Sequence, residues 1–257
     1  MKSLETGQRA SGEETPTPQN KEDEDIKRRV LEDMKEIGRG ENPEVRDDWD
    51  LVWVLSGPPI DIREDFTDGT KEALFPKEDR ETETVRNDVA NKRNESRERL
   101  GTGIKVAKEV CALRLKKNVG NLTLGEILQC APAIYWNATD WANNNIREAT
   151  GEGFFEKTYN FPREKVIVSP NLGIINTDDQ FKKFPGEFTE ENRKIVIISD
   201  IYHLPRVKRF LHRKNSKVTE QNAVLYPSEP RAVPFRKVRE EIRKIPQYID
   251  KGILPPE

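Results

Sequence analysis

The sequence predicts an α/β domain of three layers, α/β/α, with a mostly parallel sheet of about five strands. Two observations support this prediction: short apolar runs recur along the chain, and patterns typical of helices separate them. The runs cover residues 50–55, 133–136, 165–169, 195–199 and 223–226. The clearest begins with four apolar residues, Ile195 to Ile198, which is typical of a strand buried on both faces of a parallel sheet.

Composition limits the size of the core and the kind of partner. Of the 257 residues, 34% are hydrophobic and 35% are charged, so the core must be smaller than the chain length suggests. The net charge of -2 gives no overall attraction to nucleic acid, so no nucleic-acid partner is expected. No stretch approaches the ~20 apolar residues of a membrane span, and the amino terminus lacks the apolar core of a signal peptide. These features predict a cytoplasmic protein with no membrane span.

The chain divides into three parts by composition. Residues 1–24 are polar and rich in Glu, Thr, Pro and Gln, which predicts a disordered tail. Residues 25–47 predict an amphipathic helix and a linker, and the apolar stripe over residues 26–37 would pack on the body or bind a protein partner. Residues 48–257 predict the α/β domain, with a charged insertion at about 61–100 that would form solvated helices or a ligand-covering lid.

The two cysteines indicate neither a metal site nor a disulfide. Cys111 and Cys130 match no metal-binding spacing and lie in apolar contexts, which is typical of buried free thiols. Histidines and carboxylates also show no metal-ligand spacing, so no metal site is predicted.

Polar residues follow four of the predicted strands. The carboxyl ends of parallel strands meet at one edge of a sheet, where open α/β sheets bind ligands. Ser56 and Gly57 would let a backbone approach an anion or a ribose, or would form a tight turn with the prolines that follow. Asn137 and Ser199 end their own strands at the same edge and are predicted to contact the ligand.

The segment from Asn176 to Gln180 predicts a helix start beside this edge. Thr177 and Gln180 have the spacing of a capping box, and the acidic residues between them suit the positive end of a helix dipole. Asn176 and Thr177 would also position a ligand at the helix terminus.

The segment after the fourth strand carries the strongest prediction of a chemical site. His203 is one of two histidines in the chain, and Arg206 follows it by three residues. An imidazole that titrates near neutrality and a guanidinium of fixed charge suit a phosphate or a carboxylate. In an enzyme, His203 would act as general acid or base, Asp200 would orient it, and Arg206 would hold the anion. The alternative is a surface histidine, with an arginine paired to local carboxylates.

Three segments resemble the YdcF/SanA/ElyC-like family, a domain of unknown function with a Rossmann-like sheet. Asp50 to Gly57 is similar to the family's "D-x-I-V-V-L-G" opening, and Ile175 to Gln180 to its "S-x-N-T-x-E/D-N/Q" segment. Ser199 to Arg206 is very like its "T/S-x-x-Y/F-H-x-x-R" segment, and the resemblance covers about residues 48–250. It implies a pocket lined by Asn176, Thr177, His203 and Arg206. The chain departs from the family after Trp136, where Asn-Ala-Thr replaces the usual Ser-Gly-Gly turn.

Taken together, the residues predict a protein that binds a small anionic or nucleotide-like ligand at the carboxyl edge of the sheet. As an enzyme it would be a transferase or a hydrolase, and S-adenosylmethionine is one nucleotide-like cofactor that fits. The alternative from another class is a non-catalytic sensing or protein-interaction module. A Rossmann-like topology is compatible with a transferase, a hydrolase and a non-catalytic module.

Overall fold

The computed structural model describes residues 18–57, 61–63, 94–190, 193–229 and 235–255. Five parallel strands form one sheet in the order β3-β2-β1-β4-β5. They are β1 (Leu51–Leu55), β2 (Ala133–Asn137), β3 (Val166–Val168), β4 (Ile195–Ser199) and β5 (Ala223–Pro227). The predicted α/β fold with a parallel sheet is therefore confirmed. The strand order changes direction between β1 and β4, which is where open sheets of this type leave a crevice.

Eight α-helices accompany the sheet in the described part of the chain. They are α1 (Pro18–Arg39), α2 (Glu95–Leu115), α3 (Leu124–Cys130), α4 (Asp140–Gly151), α5 (Phe154–Tyr159), α6 (Thr177–Lys182), α7 (Leu204–Leu211) and α8 (Phe235–Asp250). Helices α2 to α5 cover one face of the sheet, and α6, α7 and α8 lie on the other.

The alternation of side chains along β1 produces the two layers of core. Val52 and Val54 belong to the cluster that includes Ile104 of α2. Trp53, on the opposite face, packs against Phe181 of α6, with ring centroids 4.8 Å apart. Every residue of β1 is buried, as expected for the central strand of a sheet covered on both faces.

A third apolar cluster joins α1 to α8. Val30 and Met34 of α1 are completely buried, and they share this cluster with Tyr202, which follows β4, and with Ile245 of α8. The apolar stripe of residues 26–37 thus packs on the body of the same chain, one of the two predicted alternatives. The predicted protein partner for this stripe is not supported, because Ile26, Val30 and Met34 are buried against the same chain and Leu31 and Ile37 are partly buried there.

Two boundaries differ from the sequence prediction. Helix α1 begins at Pro18 rather than near residue 25, and residues 1–17 of the predicted tail lie outside the described residues. Helix α2 begins at Glu95, where the side chain of Asn94 caps it by accepting a hydrogen bond from the Arg97 amide. The end of the predicted charged insertion is therefore part of a packed helix, while residues 64–93 lie outside the described residues.

Two further findings concern the two cysteines and the search for membrane-spanning helices. Cys111 and Cys130 are free thiols, the first buried and the second half-buried, so the prediction of free thiols is confirmed. Among the residues that the structure describes, no helix combines the length and apolar character needed to cross a membrane.

Candidate functional site

A cleft of about 160 Å³ lies at the carboxyl edge of the sheet, where β1 and β4 adjoin. The loop after β1, the start of α2, the segment after β4 and one side of α8 all contribute to it. The residues lining it are Ser56, Gly57, Glu95, Arg99, Thr177, Tyr202, His203, Arg206, Lys237, Glu240, Glu241 and Lys244. The structure therefore brings together five of the predicted site residues, which are Ser56, Gly57, Thr177, His203 and Arg206.

His203 lies between two hydroxyl groups. Its Nδ1 is 2.7 Å from Ser199 Oγ, and its Nε2 is 3.1 Å from Thr177 Oγ1. The side chain is buried just before the first turn of α7. Burial holds the pKa of the imidazole well below its ordinary value, and four cations, Arg206, Arg99, Lys244 and Lys237, lower it further. The imidazole is therefore neutral near pH 7, with one nitrogen donating and the other accepting a hydrogen bond.

Arg206 contacts α8 rather than another residue of its own helix. Its Nε lies 3.0 Å from Oε2 of Glu241, and its guanidinium carbon lies 5.6 Å from the centre of the Tyr248 ring. The Nε and Oε2 atoms are close but poorly aligned, so neither completes a hydrogen bond although both are buried. Burial raises the pKa of the Glu241 carboxyl, against the opposing effect of Arg206. We call Thr177, Ser199, His203 and Arg206 the His203 cluster.

Asp200 does not orient the imidazole, so the predicted role is wrong. Its Oδ2 accepts hydrogen bonds from Nε and Nη2 of Arg99, at 3.0 and 2.6 Å, and its Oδ1 accepts one from the Ser228 hydroxyl. The physical reason is that Arg99 reaches from α2 to the end of β4 and engages the carboxylate. The hydroxyls of Ser199 and Thr177 hold the imidazole instead.

Arg99 also connects the end of β1 to α2. Its Nη1 donates to the carbonyl oxygens of Leu55 and Ser56, at 3.0 and 2.6 Å. The hydroxyl of Tyr202 donates to Oε2 of Glu95 at 2.6 Å, and Nη2 of Arg99 lies 3.5 Å from the same oxygen. We call Glu95, Arg99, Asp200 and Tyr202 the Arg99 cluster.

Glu95 and Arg99 were not among the predicted site residues, because both fall within the predicted charged insertion. A signal was present, since the two residues are four apart and Leu100 and Ile104 continue the apolar face of the same helix. The high local charge concealed it, because composition does not distinguish a paired buried charge from a solvated one.

Asn137 has a structural role, and the predicted ligand contact is not supported. Its Oδ1 accepts from Trp53 Nε1 at 2.7 Å, and its Nδ2 donates to the Gln180 carbonyl at 2.9 Å. The residue is completely buried and does not line the cleft. Its side-chain amide joins β1, β2 and α6.

The start of α6 differs from the predicted capping box. Asn176, not Thr177, is the N-cap, and its Oδ1 accepts from the Asp179 amide at 2.9 Å. Asn176 is exposed and does not line the cleft, so its predicted ligand contact is not supported. Gln180 does not cap the helix either; its Nε2 donates to the Asn137 carbonyl at 2.6 Å. Thr177 is consequently free of a capping role and faces His203.

Gly57 and Ser199 shape the site in different ways. A Cβ on Gly57 would lie 2.9 Å from Cβ of Glu95, so glycine permits the start of α2 to approach the end of β1. The Gly57 amide already donates to Ser96 Oγ at 3.0 Å. Ser199 is completely buried outside the cleft and contacts it only through His203. Its predicted direct ligand contact is not supported.

Within the described ranges, no group of three or more His, Cys, Asp or Glu side chains is placed to hold a metal ion. A scan against protein-family models, a search of curated proteins and a search of solved structures each found no match. The class that the fold and the site define is therefore an α/β domain with a buried histidine and arginine at its strand-order switch point.

Proposed function

We propose that the cleft binds a small anionic ligand, with a phosphate or carboxylate group held between Arg206 and His203. The observation that carries this proposal is the incomplete bonding of Arg206. Its buried Nε lacks a hydrogen bond although a carboxylate oxygen lies 3.0 Å away. A ligand oxygen that displaces the Glu241 carboxylate would supply the aligned acceptor that Glu241 does not. Hydrogen bonds between charged groups are among the strongest in proteins.

Charge in the cleft supports the same ligand class. Lys237 and Lys244 extend from α8 to the cleft, and both contribute to the low pKa of His203. Each lysine has a carboxylate neighbour in the cleft, with Lys237 Nζ 3.7 Å from Glu95 and Lys244 Nζ 3.6 Å from Glu240. These pairs are longer than the 2.6 Å contact of Arg99 with Asp200, so the lysines are better placed than Arg99 to meet a ligand. A neutral imidazole among cations tolerates an anion beside it without the repulsion that a carboxylate would cause.

The size of the cleft restricts which part of a ligand it holds. A volume of about 160 Å³ equals roughly five waters at ~30 Å³ each. Pockets that enclose a whole drug-sized ligand are commonly about 300–1,000 Å³. A nucleotide-like ligand, S-adenosylmethionine included, would place its charged group here and the remainder outside the described cleft.

The site suits reactions in which one side chain accepts a proton next to an anionic substrate. Neutral His203 suits general acid–base chemistry, as in a transferase or a hydrolase. Thr177, His203 and Arg206 also lie in the segments that resemble the YdcF/SanA/ElyC-like family, which supports the same edge of the sheet as the site. A non-catalytic sensor of anions would show binding without turnover.

Titration calorimetry tests the proposal with inorganic phosphate, sugar phosphates, nucleoside monophosphates and S-adenosylmethionine. We expect at least one of these ligands to bind through its phosphate or carboxylate group, and Arg206→Met to weaken that binding at least about 10-fold, the loss of one charge-assisted hydrogen bond. Arg213→Met is the matched control, because Arg213 pairs with Asp178 outside the cleft. Absence of binding across the panel, or equal affinity in Arg206→Met, contradicts the proposal.

A further inference from the structure

We propose that Thr177 is a nucleophile, activated by His203, that accepts a phosphoryl group from a phosphate ester bound in the cleft. This inference rests on the proposed anion binding and adds a covalent step to it. The sequence predicted only a ligand-positioning role for the Thr177 hydroxyl.

The contacts of His203 match those of an activated hydroxyl. Such a site needs a nucleophile within hydrogen-bond reach of a base and a third group that orients the base. Thr177 Oγ1 lies 3.1 Å from Nε2, and Ser199 Oγ lies 2.7 Å from Nδ1 on the opposite side of the ring. Thr177 lines the cleft while Ser199 is completely buried outside it. The nucleophile is therefore Thr177, and Ser199 is the positioning residue.

One tautomer of the imidazole makes this arrangement reactive. When Nδ1 carries the proton and donates to Ser199 Oγ, Nε2 accepts the hydrogen bond from the Thr177 hydroxyl. A general base must be unprotonated to work, and burial with the neighbouring cations keeps His203 in that form. The same cations stabilise the negative charge that develops on Thr177 Oγ1 as its proton leaves.

The surroundings favour a phosphoryl group over an acyl group. A phosphate ester is already an anion in its ground state, whereas a carboxylic ester or amide is neutral at the reacting carbon. Arg206, Lys237 and Lys244 line the cleft with Thr177, and cations of this kind position phosphates and neutralise charge during transfer. The volume of about 160 Å³ is large enough for one phosphoryl group and smaller than the pockets that enclose a whole drug-sized ligand.

The reaction balances with water as the second substrate. Thr177 Oγ1 forms a bond to phosphorus as the bond to the ester oxygen breaks, and the Thr177 proton passes to His203 Nε2. The imidazolium gives that proton to the departing alkoxide, which leaves as an alcohol. Water then attacks phosphorus and loses its proton to Nε2, the bond to Oγ1 breaks, and the proton returns to Thr177.

The direct test uses p-nitrophenyl phosphate with rapid acid quenching, followed by intact-mass measurement and peptide mapping. We expect release of p-nitrophenol, and a mass increase of one phosphoryl group located on Thr177. Thr177→Val, which keeps the shape, should lose at least about 100-fold in turnover and all of the adduct. Thr177→Ser, which keeps the hydroxyl, should retain both.

Ser199→Ala separates positioning from structural support. We expect kcat to fall while KM for p-nitrophenyl phosphate stays constant, because Ser199 does not touch the ligand. The acid limb of the kcat profile should move to lower pH, because Nδ1 loses an acceptor that stabilises the imidazolium. An unchanged pH profile contradicts the positioning role.

Three results would overturn the covalent step. The first is wild-type turnover in Thr177→Val, and the second is turnover that depends on the hydroxyl but leaves no adduct. The third is no p-nitrophenol release by a wild-type protein that binds inorganic phosphate in calorimetry. In each of these the anion-binding proposal stands if phosphate binding depends on Arg206. Failure of every ligand in the calorimetry panel to bind the wild type contradicts both proposals.

Discussion

The Arg99 cluster and the His203 cluster lie side by side beyond β4, and they differ in how completely their buried polar atoms are hydrogen-bonded. Arg99 donates to Asp200 and to two backbone carbonyls, and no buried side-chain atom of its cluster lacks a hydrogen bond. In the His203 cluster the imidazole has only neutral hydroxyl partners, and Arg206 Nε has no aligned acceptor. A fully partnered buried cluster holds elements together. An incompletely partnered one retains capacity to bind a ligand.

The largest expected loss of stability comes from breaking the Arg99 cluster. Arg99→Met leaves Asp200 buried without its cation, so we expect a loss of about 3–5 kcal/mol in the free energy of unfolding. Urea denaturation monitored by tryptophan fluorescence measures it. The control is Lys105→Met on the same helix, which removes an exposed ion pair with Glu229 and should cost less than about 1 kcal/mol. Equal losses in the two variants would show that the Arg99 cluster contributes no special stability.

The next effect concerns Asn137, which joins elements beneath the cleft. Asn137→Ala leaves Trp53 Nε1 without its acceptor, and we expect it to lower the free energy of unfolding by about 2 kcal/mol. Its affinity for inorganic phosphate should equal that of the wild type, since Asn137 does not line the cleft. A loss of phosphate affinity without a loss of stability would show that Asn137 contacts the ligand.

The dependence of stability on pH isolates His203. In the unfolded chain His203 takes up a proton near its ordinary pKa, whereas the folded protein resists protonation because that pKa is depressed. Falling pH therefore favours unfolding, by up to about 1.4 kcal/mol per pH unit below about 6.5. Urea denaturation of the wild type and His203→Gln between pH 7 and the folded pKa measures the difference.

Glu241 acts in the opposite direction over that range, because its raised pKa makes protonation favour the folded state. It is present in both proteins, so the difference between their slopes reports His203. Parallel slopes for the wild type and His203→Gln would mean that the folded imidazole protonates as readily as the unfolded one.

The smallest effect lies at the N-cap of α6. Asn176→Ala removes the acceptor for the Asp179 amide and should cost about 1 kcal/mol in urea denaturation. Phosphate affinity should stay constant, because Asn176 is outside the cleft. Asn176→Asp, which retains a capping oxygen, should recover the stability. Weakened phosphate binding in Asn176→Ala would show that Asn176 contacts the ligand.

The fold was predictable because its signal is local. A central parallel strand needs a short run of apolar residues, and 195–199 and 50–55 both show one. The positions of Ser56, His203 and Arg206 follow from the same signal, since residues after parallel strands meet at one edge.

The remaining parts of the site depend on pairings between distant segments. Arg99 is separated from Asp200 by one hundred and one residues, and Asn137 from Trp53 by eighty-four. Only the packed sheet shows that Arg99 engages Asp200 and leaves His203 to two hydroxyls. Amide and carboxylate side chains serve structure and ligands equally well, so residue type alone did not separate Asn137 from Thr177.

Nitrogen NMR of protein labelled in its histidines tests most directly whether the His203 cluster binds an anion. The chain has two histidines, and His212, which pairs with Glu220 outside the cleft, is an internal reference. Titration with inorganic phosphate at pH 6.5 should shift the resonances of a neutral His203 and leave those of His212 in place. If the His203 resonances do not shift with phosphate, or shift only as much as those of His212, the proposed site is contradicted.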